Sequence, residues 1–148
     1  MFSVAREFSF SYGHRLFRYE GRCRRLHGHN ARVVVEVRGE DDALDELGMA
    51  LDFTNLKETL GRWIDETLDH RVFLARNDPL AKVLRDAGEE PLLFDGNPTA
   101  ELLAKTIYDH AVMIGLRVIK VDFWETRNCR ATYTRHDAGR GVTAEVQD

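Results

Sequence analysis

The sequence lacks the features by which secreted and membrane-spanning proteins are usually recognised. Two cysteines among 148 residues are too few for a disulfide framework, so we expect both thiols to be reduced, as in the cytoplasm. No apolar run approaches the roughly 18 residues of a membrane span. Residues 1–7 lack the basic and then apolar layout of a signal peptide. We therefore expect a cytoplasmic protein that has no membrane partner.

An excess of positive charge is missing as well. The chain has 21 lysines and arginines against 25 aspartates and glutamates, and its formal net charge is -4 at pH 7. This balance gives no electrostatic reason to expect a nucleic-acid partner. The sequence shows no internal repeat and no low-complexity linker, and its length is usual for one domain. We predict a single domain over residues 1–136 and a polar tail over residues 137–148.

Alternation of large apolar residues with small or polar ones marks the two ends of the chain. The first stretch carries Phe2, Val4, Phe8, Phe10 and Tyr12 at every second or fourth position, and residues 31–39 repeat the pattern. A period of two predicts strands, so these stretches form a hairpin capped by residues 13–30. A second strand pair is predicted over residues 118–125 and 131–135.

Helical spacing occupies the middle of the chain. Asp52 is a candidate N-cap for a helix with an apolar stripe at Leu56, Leu60, Trp63, Ile64 and Leu68. Asp78-Pro79 opens a shorter helix over residues 80–87, and Asn97-Pro98 opens a third that ends before Gly115. Grouped helices between strand pairs favour an α+β fold, with an antiparallel sheet covered by helices on one face.

Three histidines form a candidate metal site. In an extended segment His27 and His29 point to the same face, and Gly28 adds no side chain between them. His14 has the parity of Phe10 and Tyr12, and in a hairpin it can lie opposite this pair. Three neutral imidazoles with one open position are how zinc acts as a Lewis acid. The alternative is three unrelated surface or core histidines, because His-x-His pairs are common.

Three further positions have both a chemical and an ordinary interpretation. Cys23 is either a fourth, structural zinc ligand or a reactive thiol activated by the positive charge of Arg22, Arg24 and Arg25. Asp69-His70 is either a proton-transfer pair or a helix C-terminus, where the dipole favours histidine. Glu125 follows an apolar strand face, so it either meets hydrogen-bond donors or lies in water at the strand end.

The motifs taken in order resemble the 6-pyruvoyltetrahydropterin synthase / 6-carboxytetrahydropterin synthase family. The resemblance covers residues 1–136 and rests on Phe8-x-Phe10-x-x-x-His14-x-Leu16, Cys23-x-x-x-His27-Gly28-His29-Asn30, Leu51-Asp52-Phe53, Leu68-Asp69-His70, Asn97-Pro98-Thr99-Ala100-Glu101 and Trp124-Glu125-Thr126. It implies the tunnelling fold, with a four-stranded antiparallel sheet and helices on one side. It also implies trimers whose sheets form a barrel, and a homohexamer made of two trimers with active sites at subunit interfaces.

The resemblance further implies the roles of the site residues. His14, His27 and His29 would hold Zn2+, and Cys23 would be the catalytic thiol rather than a ligand. Asp69 and His70 would complete the proton-transfer set. The pterin substrate would be anchored by Glu125, with Thr99 and Glu101 near its pocket.

The spacing between Cys23 and His27 resembles the bacterial 6-carboxytetrahydropterin synthases of queuosine biosynthesis. The implied reaction is a zinc-dependent lyase reaction, which converts 7,8-dihydroneopterin triphosphate to 6-carboxy-5,6,7,8-tetrahydropterin, acetaldehyde and triphosphate. Elimination of triphosphate to 6-pyruvoyltetrahydropterin is the alternative within the family. A non-catalytic, zinc-stabilised binding module is the alternative of another class.

Three departures from the family pattern bear on the substrate rather than the fold. Tyr12-Gly13 stands where small residues are common, and Leu102 stands where asparagine is common. Residues 71–96 form a longer segment than in compact bacterial members. Arg22, Arg24 and Arg25 are either contacts for the triphosphate or solvated surface charges.

Overall fold

A computed structural model of the chain describes residues 1–39 and 43–135. The predicted tail over residues 137–148 lies outside the described residues. The strands are β1 (Ser3–His14), β2 (His27–Arg38), β3 (Arg71–Ala75), β4 (Leu92–Phe94), β5 (Arg117–Thr126) and β6 (Cys129–Tyr133). The helices are α1, which runs from Phe53–Leu56 through π-helical turns at Lys57–Gly61 and Ile64–Leu68, α2 (Leu80–Asp86) and α3 (Ala100–Met113).

The first hairpin is longer than the alternation predicted. β1 and β2 pair antiparallel from Ser3 opposite Arg38 to His14 opposite His27, so residues 13–14 and 27–30 are strand and not cap. Gly28 permits this pairing, because a Cβ at that position would lie 3.2 Å from the Tyr12 carbonyl oxygen. The consequence is that the three histidines lie on adjoining ends of two hydrogen-bonded strands.

The sheet has six strands among the described residues, in the order β4-β3-β1-β2-β5-β6. The prediction of four antiparallel strands is therefore wrong, because β3 pairs parallel with β1 and β4 pairs parallel with β3. Both additional strands belong to the segment 71–96, which was expected to hold only a short helix. Their residues are half-buried or buried without a break, so they lack the period of two that marks a strand with one wet face.

The helices cover one face of this sheet. The stripe of α1 packs with Leu103, Ile107 and Ala111 of α3 against Phe10, Val33, Val35, Val121 and Phe123. Residues of the opposite parity in β1 and β2 are exposed or half-buried, and Glu7 pairs there with Arg32 at 2.8 Å. The α+β class with a helical layer is confirmed by this arrangement.

The predicted starts of α1 and α2 agree with the structure, whereas α3 begins two residues after the predicted Asn97-Pro98. The Asp52 side chain accepts a hydrogen bond from the Thr54 amide at 2.7 Å, and Asp78 accepts one from the Leu80 amide at 2.8 Å. α3 begins after Thr99 and is followed by Gly115, whose φ of 93° suits only glycine without strain. None of the helices in the described ranges is long and apolar enough to cross a membrane.

Candidate functional site

The three histidines come together where the core-facing stripe of the hairpin ends. The alternation that buries Phe10 and Tyr12 also buries His14, and the same face of β2 carries His27 and His29. One ring nitrogen from each histidine lies within 4.8 Å of the other two. The Nε2 atoms of His14 and His27 are only 3.1 Å apart. The strand register alone therefore assembles a set of three nitrogen donors.

Backbone carbonyls determine which ring nitrogens carry hydrogen. His14 Nδ1 lies 2.8 Å from the Pro98 carbonyl oxygen, and His27 Nδ1 lies 2.7 Å from that of Arg25. A carbonyl only accepts, so each Nδ1 donates and each neutral ring leaves a lone pair on Nε2. Two lone pairs that face each other at 3.1 Å repel, unless a cation lies between them. A backbone carbonyl that accepts from the other ring nitrogen is a usual way in which proteins orient metal-binding histidines.

Burial keeps two of these imidazoles in the neutral form that binds metal. It is the main cause that lowers the pKa of His14 and of His29 below the ordinary value for histidine. Among the described residues, His29 Nε2 is a buried polar atom that finds no hydrogen-bond partner, which is rare in folded proteins. A metal ion would satisfy this atom, and three imidazole nitrogens are a donor set that suits zinc.

Glu125 joins this cluster from β5. Its Oε1 lies 3.3 Å from His14 Nε2 and 3.6 Å from His29 Nε2, and it accepts a hydrogen bond from the Tyr12 hydroxyl at 3.1 Å. Burial and the neighbouring Glu125 raise the pKa of Tyr12 above its ordinary value, so the phenol stays protonated and donates. The sequence placed Tyr12 on the core face, where a buried tyrosine hydroxyl usually finds a hydrogen-bond partner. The pattern did not identify Glu125 as that partner.

Two clefts adjoin the histidines. The first, of about 520 Å³, is lined by His27, His29 and His70. The second, of about 300 Å³, is lined by five of the other six predicted site residues, namely His14, Cys23, Thr99, Glu101 and Glu125, whereas Asp69 lines neither cleft. The candidate metal centre therefore separates two concave surfaces, and one chain does not gather Cys23 and His70 in the same cleft.

The Asp69-His70 pair is built by the end of α1. Asp69 accepts hydrogen bonds from the Ser11 amide at 2.9 Å and from His70 Nδ1 at 2.8 Å. The Ser11 amide is the main cause that holds the pKa of Asp69 below its usual range. His70 has a φ of 56°, and its side chain is 81% exposed. Asp69 thus orients the imidazole of His70, whose other ring nitrogen faces the surroundings. This arrangement suits proton transfer.

The second cleft also contains a cysteine to which the sequence assigned no role. Cys129, at the start of β6, lines it together with Cys23, which lies half-buried in a 3₁₀ turn at Arg22–Arg24. No spacing in the sequence connects these two cysteines. Thr99 uses its hydroxyl oxygen as the N-cap of α3, accepting from the Leu102 amide at 3.3 Å. Thr99 therefore stabilises the start of α3 as well as lining the second cleft.

A family model described as 6-pyruvoyl tetrahydropterin synthase matches residues 3–136. The chain belongs to this family. It is 31% identical to the 6-carboxy-5,6,7,8-tetrahydropterin synthase of Rickettsia conorii, over 87% of this chain and 97% of that protein. It is 32% identical to the protein of the same name from Aquifex aeolicus, over 88% of this chain and 96% of that one.

Solved structures agree with this assignment. The 6-pyruvoyl tetrahydropterin synthase of Caenorhabditis elegans superposes with a TM-score of 0.67 at 26% identity, covering 91% of this chain and 96% of that one. The uncharacterized protein WS1659 of Wolinella succinogenes superposes with a TM-score of 0.73 at 28% identity, covering 91% and 98%. The predicted family is therefore confirmed, and with it an enzyme of the tetrahydropterin-synthase type.

Proposed function

We propose that this protein is a zinc-dependent lyase that converts 7,8-dihydroneopterin triphosphate and one water molecule to 6-carboxy-5,6,7,8-tetrahydropterin, with release of acetaldehyde and triphosphate. This is the chemistry of 6-carboxytetrahydropterin synthase in queuosine biosynthesis. Two curated relatives that carry this name are more than 30% identical to the chain and match along nearly their whole length. The Cys-x-x-x-His spacing at Cys23 and His27 supports the same branch of the family.

One observation carries the metal part of the proposal. His14 and His27 place their Nε2 atoms 3.1 Å apart while both Nδ1 atoms face backbone carbonyl oxygens. Neutral rings in that arrangement have no hydrogen to share between them, so a cation is the simplest partner for both. The metal-ligand group found among the described residues consists of His14, His27 and His29 and contains no cysteine. That favours an open, catalytic zinc over a closed, structural one.

The proposed mechanism assigns a separate task to each side chain. Zinc bound by the three histidines would polarise the adjacent hydroxyls of the substrate side chain and lower their pKa. Glu125 holds the pterin ring, since a carboxylate accepts from two neighbouring N–H donors at once. Cys23 takes a proton on one side of the substrate, and His70, oriented by Asp69, exchanges a proton on the other side.

The two clefts give a reason to propose an oligomer. His70 opens onto one side of the histidine cluster and Cys23 onto the other. A copy of the chain that presents its His70 to the second cleft of its neighbour would complete the set. A homohexamer of two trimers, with pterin sites between subunits, has this property and also pairs the strands at the sheet edges.

The products of the reaction test the proposal. Purified, zinc-loaded protein is incubated with 7,8-dihydroneopterin triphosphate, and the pterin products are identified by mass spectrometry while acetaldehyde is trapped. We expect 6-carboxy-5,6,7,8-tetrahydropterin and acetaldehyde in equal amounts. A 6-pyruvoyl product without acetaldehyde would assign the alternative reaction of the family. Stoichiometric zinc with no turnover would favour the binding module instead.

A Cys23→Ala variant is expected to keep the fold and the zinc but to lose about 100-fold or more of kcat, the usual size of a general acid–base contribution. The physical reason is that the thiol moves a proton and does not bind the metal. Zinc content, circular dichroism and steady-state kinetics are measured on one preparation. Cys129→Ala, which removes the other thiol of the same cleft, is the matched control. A parallel loss of zinc and activity in Cys23→Ala would instead assign the thiol as a ligand.

A further inference from the structure

A third cleft, of about 570 Å³, lies beside the second one and has an unusual lining. Four arginines contribute to it, and two further residues, Leu16 and Tyr19, line both clefts. We define the arginine cleft by Arg15, Arg18, Arg24 and Arg25. We propose that the arginine cleft binds the triphosphate of the pterin substrate, an inference that rests on the proposed function.

Charge in the arginine cleft is mostly uncompensated. Arg15 is the exception, because its guanidinium forms a bidentate ion pair with the fully buried carboxylate of Asp78, in which Arg15 Nε lies 2.7 Å from Asp78 Oδ2. Within residues 1–39 and 43–135, no carboxylate lies within 4.0 Å of the guanidinium nitrogens of Arg18, Arg24 or Arg25. Three unpaired guanidinium groups in one concavity match a chain of phosphates, which arginine binds with two parallel hydrogen bonds.

The loop that carries these arginines is held in place. Asn97 accepts from the Phe17 amide at 2.7 Å and donates to the Phe17 carbonyl oxygen at 3.0 Å. The Leu16 amide donates to the Cys23 carbonyl oxygen at 2.8 Å, which closes the loop. Arg18 has a φ of 65°, a left-handed conformation that residues other than glycine seldom adopt. Strained backbone of this kind persists where surrounding contacts enforce it, and it is enriched at ligand sites.

The order of groups along the two clefts fits the order of groups in the substrate. Glu125, near the end of β5, lines the second cleft, and Cys23 lies in the 3₁₀ turn that contains Arg24 and is followed by Arg25. A pterin ring held at Glu125 would extend its hydroxylated side chain past the histidines and Cys23. Its terminal phosphates would then pass Leu16 and Tyr19 into the arginine cleft. His27 Nδ1 donates a hydrogen bond to the Arg25 carbonyl oxygen, which links a candidate metal ligand to the residue that follows the 3₁₀ turn.

The structure also identifies a matched control. Arg22 belongs to the same 3₁₀ turn as Arg24 and is exposed like it, but it does not line the arginine cleft. Sequence alone could not separate Arg22 from Arg24 and Arg25, since all three flank Cys23. It also did not single out Arg18, which the loop brings into the cleft from the other side.

The test compares Arg24→Ala/Arg25→Ala with Arg22→Ala, after zinc analysis and circular dichroism have shown both to be folded and loaded. Inorganic triphosphate is titrated into each protein by calorimetry, and KM is measured for 7,8-dihydroneopterin triphosphate. We expect the double variant to lose more than about tenfold in triphosphate affinity and to raise KM with less change in kcat, because each charge-assisted bond is a strong one. Arg22→Ala should stay within about twofold of the unaltered protein, as surface charges usually do.

Two results would overturn the inference: equal triphosphate affinity in the double variant and the unaltered protein, or an equal loss in Arg22→Ala. Chelation of zinc by triphosphate would affect all the proteins alike, so the difference between the two variants isolates the cleft. The binding arm needs no turnover. If the protein bound triphosphate through Arg24 and Arg25 but made no product, the proposed reaction would fail while the anion site stood.

Discussion

Replacement of His27 or His29 by alanine is expected to remove most of the bound zinc and to abolish turnover. Each imidazole is one of the three nitrogen donors that the described part of the chain brings to the cluster, so its loss leaves two of these ligands. Loss of an outer-shell partner already costs metal sites about 10- to 100-fold in affinity, and loss of a direct ligand should exceed about 100-fold. Because bound metal stabilises the folded state, a chelator should lower the Tm of the unaltered protein and leave that of the variants nearly unchanged.

Metal analysis after gel filtration and thermal melts with and without chelator test this prediction. His110→Ala is the matched control, because His110 stacks on Trp63 at 3.8 Å in the helical layer and lies in none of the clefts that hold the candidate site. The control should retain about one zinc per chain. Full zinc content in both His27→Ala and His29→Ala would contradict the three-histidine centre.

The part of the site that could be predicted follows from strand parity. His14 shares its parity with Phe10 and Tyr12, and the pair His27 and His29 shares one face of β2, so two alternations that meet in a hairpin are enough to assemble the cluster. The helix that Asp52 caps was equally predictable, because apolar residues recur every three to four positions on the buried side of a surface helix. These features depend only on local sequence and on one pairing.

The remainder depends on contacts between distant segments, which no local pattern records. β3 and β4 escaped prediction because their residues are buried continuously and pair in parallel with strands far away in the chain. The bond between Tyr12 and Glu125 joins residues 113 positions apart. The partition of Cys23 and His70 between two clefts likewise follows from the assembled sheet and not from either motif.

Glu125 is where the structure adds most to the sequence interpretation. The carboxylate does not lie free in water at a strand end, since it is 24% exposed, accepts from Tyr12 and lies beside two imidazoles. A carboxylate has about four lone-pair sites, so the bond from Tyr12 leaves acceptor capacity for a ring edge with two donors. Tyr12, buried and stacked on Phe73 at 4.9 Å, holds the orientation of that acceptor.

Glu125→Gln is accordingly expected to weaken catalysis far more than metal binding. Glutamine keeps the shape but replaces one acceptor oxygen with an NH2 group. If its oxygen stays with Tyr12, the NH2 faces a donor of the pterin. If the amide flips, the NH2 meets the Tyr12 hydroxyl. The first orientation opposes two donors. The second lets the phenol oxygen accept from the NH2 but leaves the Tyr12 O–H without its acceptor. Both lose a charge-assisted bond, at a cost of about 2–4 kcal/mol, or roughly 30- to 1000-fold in kcat/KM.

Zinc stoichiometry in Glu125→Gln should stay near that of the unaltered protein, because all three imidazoles remain, and the zinc affinity should fall by about tenfold, the lower end of the range for an outer-shell change. Steady-state kinetics and zinc analysis on the same preparation measure both effects. Glu7→Gln, on the opposite face of β1 and paired with Arg32, is the matched control and should leave kcat/KM unchanged. If Glu125→Gln kept its kcat/KM, the pterin ring would have to lie elsewhere, because a residue that accepts from two pterin N–H groups cannot exchange one acceptor for a donor without weakening the complex.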